Sequence, residues 1–168
     1  MIECKIKRYV LCLFTLISYD VGANQFVISI PLETQVSLST EDSSISAVFD
    51  EEHYETTYKV NERKFESINQ NLEVESTKSN DYSISLVKNY NVCLDENNNL
   101  IKDFKVAVGL DGHNIIEGEG VNFQWQGIEE GLYLSVHNMS VDFPELEQIE
   151  SKQNCYGNLA FEVSLLSI

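Results

Sequence analysis

The feature that most constrains the fold is residues 24–39, NQFVISIPLETQVSLS, in which apolar residues recur at every second position. Side chains of a β-strand alternate between its two faces, so residues of one parity line one face. The apolar residues that share this parity are Phe26, Ile28, Ile30, Leu32, Val36 and Leu38. The stretch predicts an amphipathic strand, which either belongs to its own domain or is lent to a neighbouring molecule.

Residues 1–23, which precede this strand, have the features of a secretory signal peptide. Basic residues come first, an apolar run follows at residues 9–17, and small residues end the segment at Ala23. The apolar run is too short to span a bilayer. We therefore expect export and cleavage after Ala23. A buried N-terminal helix is the alternative interpretation.

The charge of the chain restricts its partners. Its formal net charge is −16 at pH 7, and such a chain repels nucleic acid and anionic membranes. We therefore expect no nucleic-acid partner. Solubility is the simplest reason for the acidity, and a cationic partner surface is the alternative.

Cysteine usage agrees with export. Cys4 and Cys12 lie in the predicted signal peptide, which leaves Cys93 and Cys155 in the mature chain. Two cysteines in an exported protein most simply form one disulfide bond. Neither has another Cys or a His at ligand spacing, so the sequence predicts no metal site at this pair.

The rest of the chain consists of short alternating apolar segments separated by polar turns, without a helical period. The clearest segments are residues 45–49, 82–86, 104–110 and 159–165. Nine or ten such segments in a chain of 168 residues predict one all-β domain, an antiparallel β-sandwich.

Two turns are predicted between these strands. Asp111-Gly112 is a strong signal for a two-residue hairpin. Residues 95–99 are similar to the start of a calcium-binding loop, but Leu100 stands where that loop needs glycine and Val106 where it needs glutamate. We interpret residues 95–99 as a hairpin turn.

No motif for catalysis or cofactor binding is found. His53, His113 and His137 are scattered, and the sequence has no glycine pattern of a nucleophile elbow, no phosphate-binding loop and no zinc pattern. We predict no catalytic residues and no cofactor. An exported hydrolase with a spatial triad stays open as an alternative. Trp125 and the tyrosines serve either core packing or sugar stacking.

Three stretches resemble the pilins of the alternate chaperone–usher pathway, the class 5 fimbrial subunits of enterotoxigenic enteric bacteria. The start, NQFVISIPLETQVSLS, is similar to a donor strand followed by the first strand of the pilin body. The middle, NLEVESTKSNDYSISLVKNYNVCLDENNNLIKDFKVAVGLDGHNI, is similar to the family's order of strands, and CYGNLAFEVSLLSI to its closing strand. The pair Cys93 and Cys155 departs from the main shaft subunits, which lack it, and this leaves room for a minor subunit.

The resemblance implies an immunoglobulin-like antiparallel β-sandwich of the pilin type, completed by a donor strand from the next subunit. Residues 24–35 would be the donor-strand extension and residues 36–168 the pilin domain. The donor strand would bind its neighbour through Phe26, Ile28, Ile30 and Leu32. Full burial of these four side chains contributes roughly 6 to 12 kcal/mol before ordering costs.

The resemblance also implies the partners and the location. They would be neighbouring pilin subunits, a periplasmic chaperone, an outer-membrane usher and a host-cell receptor, with the protein on a surface fimbria that attaches bacteria to host cells. Pro31, which lacks a main-chain donor, suggests an edge or a break between the lent strand and the subunit's own first strand. The alternative is a self-contained secreted or periplasmic β-sandwich that binds carbohydrate and keeps its first strand.

Overall fold

The computed structural model describes residues 27–37, 45–147 and 153–166, the first range by its backbone alone. The predicted signal peptide and Phe26 lie outside the described residues. The described part of the chain contains no helix, and so none that could cross a membrane. Its strands are β1 Val27–Ser37, β2 Ile45–Phe49, β3 His53–Lys59, β4 Lys64–Phe65, β5 Ile68–Ser76, β6 Tyr82–Leu94, β7 Leu100–Phe104, β8 Ala107–Leu110, β9 His113–Ile115, β10 Gly120–Phe123, β11 Gly127–Glu129, β12 Leu132–Asp142 and β13 Asn154–Leu165.

The strands form two sheets. The first sheet has the order β10-β6-β13-β1-β3-β4, and β7 also pairs with β6. The second has the order β2-β5-β12-β8-β9, and β11 also pairs with β12. All ladders between these strands are antiparallel except that of β1 with β13. The parallel pair is therefore a local exception in an antiparallel protein.

The core lies between the inward faces of the two sheets. Alternate residues of β5 are buried from Ile68 to Ser76, as expected for a strand with one face towards water. Phe49 of the second sheet meets Phe161 of the first edge-on, with ring centroids 5.4 Å apart. The chain crosses repeatedly between the sheets, as in immunoglobulin-type sandwiches. The predicted all-β sandwich is confirmed.

Both predicted turns are present. Asp111 and Gly112 have φ values of 50° and 80° between β8 and β9, which is the conformation of a type I′ hairpin. Between β6 and β7, the Asp95 carboxylate accepts hydrogen bonds from Asn97 and Asn99. The bonds from Asn99 are the main reason that the pKa of Asp95 lies below its usual value.

The strand β12 differs from the pattern read in the sequence. In the sequence, the alternation at Leu132, Leu134 and Val136 and the short apolar segment at residues 139–143 predict two separate strands, but Leu132–Asp142 is one strand. Its buried positions include Ser135 and His137, whereas Val136 is 49% exposed. The apolar alternation at Leu132, Leu134 and Val136 therefore does not mark the buried face of this strand.

One buried side chain of β5 has polar atoms without hydrogen-bond partners among the described residues. Gln70 is 6% exposed and lies opposite Met139 of β12. Among the described residues, neither its Oε1 nor its Nε2 has a hydrogen-bond partner. An unpaired amide in a core costs about 1 to 3 kcal/mol.

We therefore predict that Gln70→Met, a change of similar volume, raises the free energy of unfolding by about 1 to 2 kcal/mol, because it removes an unpaired amide from the core. Urea denaturation measures the change. The control is Asn69→Met at the neighbouring exposed position, with an expected effect of less than about 0.5 kcal/mol. A less stable Gln70→Met variant would contradict the prediction.

Candidate functional site

The strand β1 lies in the interior of the first sheet, between β13 and β3. Its residues 28–37 run parallel to residues 155–164 of β13. Its residues 27–31 run antiparallel to residues 53–57 of β3. We call the space between β13 and β3 that β1 fills the strand slot. Strand β1 thus has main-chain partners on both sides over the first part of its length.

The strand slot separates the hairpin of β3 and β4 from the rest of the first sheet. Among the described strands, β3 pairs with β1 and β4 only. Without β1, the main-chain groups of β13 and of β3 that face the slot would lose their partners. Unpaired main-chain groups of this kind are a template for another extended strand.

A second connection holds the hairpin of β3 and β4 independently of β1. The hydroxyl of Tyr58 donates a 2.5 Å hydrogen bond to the carbonyl of Leu146, and the N–H of Leu146 donates a 2.7 Å bond to the carbonyl of Arg63. Phe65 packs against Phe143, with ring centroids 5.6 Å apart. Residues 143–147 therefore hold β3, which borders the strand slot on the side opposite β13, against the core.

The pairing of β1 changes at Pro31. Pro31 is opposite His53 and is the last residue of β1 that pairs with β3. From Leu32 to Ser37 the strand pairs with β13 alone. The strand is continuous through Pro31 and through the predicted domain boundary between residues 35 and 36. The proline thus marks a change of partners inside one strand.

The register of β1 shows which residues of β13 and β3 lie opposite the predicted donor-strand residues. Ile28 is opposite Cys155 and Thr56, and Leu32 is opposite Leu159. Ile30 is opposite Tyr54. The partner positions Thr56 and Leu159 are buried. Ile28 and Leu32 thus each stand beside one buried position, whereas Tyr54 and Cys155 are half-buried. Phe26 lies outside the described residues.

On its other side the strand slot is bordered by β13, and a disulfide bond joins β13 to its neighbour β6. Cys93 and Cys155 are directly opposite each other and are bonded, as predicted. A cross-link between neighbouring strands keeps β13 attached to β6 whatever occupies the slot. The bond also agrees with an oxidising compartment.

Two buried asparagines next to the disulfide were not predicted from the sequence. Asn89 donates from Nδ2 to the carbonyl of Val106 at 2.8 Å and accepts from the N–H of Val106 at 3.2 Å. Asn91 donates from Nδ2 to Oδ1 of Asn89 and to the carbonyl of Phe104. These bonds satisfy the main chain where it leaves β7 and crosses to β8. The sequence alone does not identify them, because a polar residue at a core position gives the same sequence signal as a polar residue in a turn.

The side chain of Asn91 lies over Gly157, its direct neighbour on β13. A Cβ atom at Gly157 would lie 1.9 Å from Oδ1 of Asn91 and 2.9 Å from its Cγ. Among the described residues, Oδ1 of Asn91 has no hydrogen-bond partner, although the residue is 1% exposed. Gly157 is therefore required for the close approach of Asn91.

We predict that Gly157→Ala displaces the Asn91 side chain and breaks its bonds to Asn89 and Phe104. The expected loss of unfolding free energy is about 1 to 3 kcal/mol. Thermal unfolding measures the loss, with Gly127→Ala as the control, since a Cβ there meets nothing within 4 Å. Equal stability of the two variants would show that Asn91 moves aside without cost.

A second polar cluster lies among aromatic rings elsewhere in the core. Tyr82 of β6 and His137 of β12 are buried, with the hydroxyl oxygen 2.5 Å from Nε2, and Nδ1 is 2.6 Å from Oδ2 of Asp111. The ring of Trp125 lies 4.3 Å from that of Tyr82, and its Nε1 donates to the carbonyl of Asn80. His137 therefore links the two sheets, and Trp125 serves packing.

Burial of Tyr82 affects its ionisation. Removal from water is the largest cause that raises the pKa of Tyr82 to about 12, and Asp111 adds to the rise. Between pH 10 and about 12 the unfolded chain therefore ionises Tyr82 while the folded chain keeps it neutral. Unfolding is favoured increasingly as the pH rises through this window.

We predict that wild type loses about 2 kcal/mol more stability than Tyr82→Phe when the pH rises from about 9 to about 12, because the variant lacks the shifted group. Chemical denaturation at a series of pH values measures both slopes. The variant starts about 1 kcal/mol lower near neutral pH, since His137 loses a hydrogen bond. Parallel curves for the two proteins would contradict the prediction.

The described residues contain no group of three or more His, Cys, Asp or Glu side chains that could hold a metal ion. The two polar clusters described above lie inside the sandwich, where they support strands. The strand slot offers main-chain groups on two sides to an extended strand. We take it as the candidate functional site, a site for an extended strand.

Comparisons with known proteins found one kind of likeness. No family model matches the chain, and no curated protein matches it. Among solved structures, the chain is similar to the CooA pilin subunit from enterotoxigenic Escherichia coli, with 10% sequence identity, 85% of this chain and 99% of that chain covered, and a TM-score of 0.44. The assignment of function therefore rests on the strand slot.

Proposed function

We propose that this chain is a structural subunit of a surface fimbria, assembled by donor-strand exchange, and that the fimbria attaches bacteria to host cells. The observation that carries the proposal is the position of β1. A segment near the start of the chain occupies an interior strand position whose two neighbours are held by other contacts. The same segment from a second chain can occupy that position.

The chemistry of the strand slot suits an exchanged strand. Main-chain bonding along β13 does not depend on which chain supplies the strand, and alternate side chains give specificity. Ile28 and Leu32 are apolar residues whose register partners Thr56 and Leu159 are buried, and Ile30 is opposite the half-buried Tyr54. With Phe26 they are the proposed donor residues, within a donor extension of residues 24–35 and a body of residues 36–168.

The proposal implies a defined set of partners and a route. Neighbouring subunits exchange strands, a periplasmic chaperone keeps the strand slot covered before assembly, and an outer-membrane usher exports the fibre. The disulfide Cys93–Cys155 supports passage through an oxidising compartment. The proposed location is a fimbria on the bacterial surface, reached through the periplasm.

Deletion of residues 24–36 tests whether the strand can be supplied in trans. We expect that this variant does not unfold cooperatively alone, because β13 and β3 lose a shared neighbour, and that a peptide of residues 24–37 restores cooperative unfolding. Circular dichroism during thermal unfolding, with and without the peptide, measures the effect. A peptide carrying Ile28→Asp and Leu32→Asp is the matched control, since charged groups are costly beside buried positions.

The self-contained sandwich predicts a different result. In that case the deletion variant stays unfolded at every peptide concentration, because β1 folds only as part of its own chain. This outcome would overturn donor-strand exchange. Rescue by the control peptide as well would show that binding lacks the specificity that assembly requires.

A further inference from the structure

Tyr90 of β6 and Tyr156 of β13 project from the outer face of the first sheet. Each is followed in its strand by a buried residue of the core face, Asn91 in β6 and Gly157 in β13, and Asn91 lies over Gly157. Neighbouring residues of a strand point to opposite faces. Tyr90 is 49% exposed and Tyr156 is 46% exposed. Both rings are therefore accessible on the side of the sheet away from the core.

The two tyrosines are diagonal neighbours across the ladder of β6 with β13. Asn158 is directly opposite Tyr90, and Tyr156 is directly opposite Val92. Diagonal neighbours lie about 7 to 8 Å apart, which is within the reach of aromatic side chains. Val92, a neighbour of both tyrosines on the outer face, is 1% exposed. We call the surface formed by Tyr90, Val92, Tyr156 and Asn158 the tyrosine platform.

The polar atoms of the tyrosine platform lack partners among the described residues. There, neither tyrosine hydroxyl forms a hydrogen bond, and neither tyrosine ring packs on another aromatic ring. Oδ1 of Asn158 is buried and has no hydrogen-bond partner in that part of the chain. An unpaired buried carbonyl is costly. A ligand that brings a hydroxyl donor to this face can satisfy it once the amide turns towards the ligand.

The charged side chains that border the tyrosine platform balance each other. Among the outward positions of β6, β7 and β13 next to the platform, two are charged: Lys88, two residues before Tyr90, and Asp103, directly opposite Val92. Both are exposed. The chain as a whole is strongly acidic, with a formal net charge of −16. The ligand that complements this face therefore has no net charge and carries both donors and acceptors.

We propose that the tyrosine platform binds a neutral glycan, an inference that rests on the proposed role in attachment to host cells. The C–H face of a sugar ring stacks on a tyrosine ring, and two tyrosines match two successive sugar units. The sugar hydroxyls donate to the carboxylate of Asp103 and to Oδ1 of Asn158, and they accept from the ammonium of Lys88. A sialylated glycan is disfavoured, because the acidic chain repels its carboxylate.

The tyrosine platform and the strand slot use different parts of β13. The slot pairs with the main-chain edge of β13, whereas Tyr156 and Asn158 project from its outer face. Strand exchange and glycan binding are therefore compatible. A half-exposed platform binds a single glycan weakly, but a fimbria would repeat the platform in every subunit. Multivalent binding raises the overall affinity without any new contact.

An array of neutral and sialylated oligosaccharides tests the proposal, with beads coated with residues 24–168 to supply multivalency. We expect the beads to be retained on neutral glycans, and Tyr90→Ala and Tyr156→Ala to lower retention at least about tenfold. Tyr156→Phe keeps the ring and should retain most of the binding. The control is Ile128→Ala in the second sheet, since Ile128 is 66% exposed. Thermal unfolding of each variant checks that the fold is kept.

Asp103→Ala gives a second variant that leaves both rings and the core in place. We expect it to lower retention about fivefold, because the glycan loses a charged acceptor. The proposal would be overturned by beads that no neutral glycan retains, by stronger retention on sialylated glycans, or by alanine variants of both tyrosines that bind like wild type. Loss of assembly in those variants, measured by light scattering, together with no glycan binding by wild type, would make the platform a contact between copies and also overturn it.

The outcome for the tyrosine platform is separate from the test of strand exchange. Rescue of the deletion variant by the peptide of residues 24–37, without retention on any neutral glycan, would overturn this inference and leave the proposed assembly intact. Retention on neutral glycans without peptide rescue would overturn the proposed assembly and leave the platform as the glycan site of a self-contained sandwich.

Discussion

The edge of β13 that faces away from β6 is the constraint on which the first sheet depends. The core side of this strand carries Leu159, Phe161 and Val163, all fully buried. Main-chain groups beside such a core need partners, because an unpaired buried amide or carbonyl costs as much as a lost hydrogen bond. No segment other than β1 pairs with this edge among the described residues. Strand β1 is thus a structural requirement of the sandwich.

The parts that border the strand slot are held by interactions that do not involve β1. The Cys93–Cys155 bond and the bonds of Asn89 and Asn91 join β13, β6 and the crossing to β8. On the other side, Tyr58 and the 143–147 segment hold the hairpin of β3 and β4. A site with fixed walls requires less ordering when a strand binds, and reduced ordering cost is a general source of affinity. The arrangement is therefore suited to a replaceable strand.

Local sequence signals predicted much of the fold. Alternation identified β2 and β13, and turn chemistry identified Asp111-Gly112, because both depend on neighbours in sequence. The alternating segment 104–110 is not one strand, since it divides between the end of β7 in the first sheet and β8 in the second. The direction of β1 was not predictable, since alternation is the same for parallel and antiparallel pairing. The buried face of β12 was missed because Ser135 and His137 are satisfied by distant partners such as Gln126 and Tyr82. Asn89 and Asn91 were missed for the same reason.

In the proposed assembly, β1 of the same chain competes with β1 of a second copy for the strand slot. A strand on a short connection competes at an effective concentration of the order of millimolar. At micromolar protein, the strand of a second copy must therefore bind about a thousandfold better, which corresponds to about 4 kcal/mol. In the proposed route, a chaperone that occupies the strand slot before assembly removes this competition.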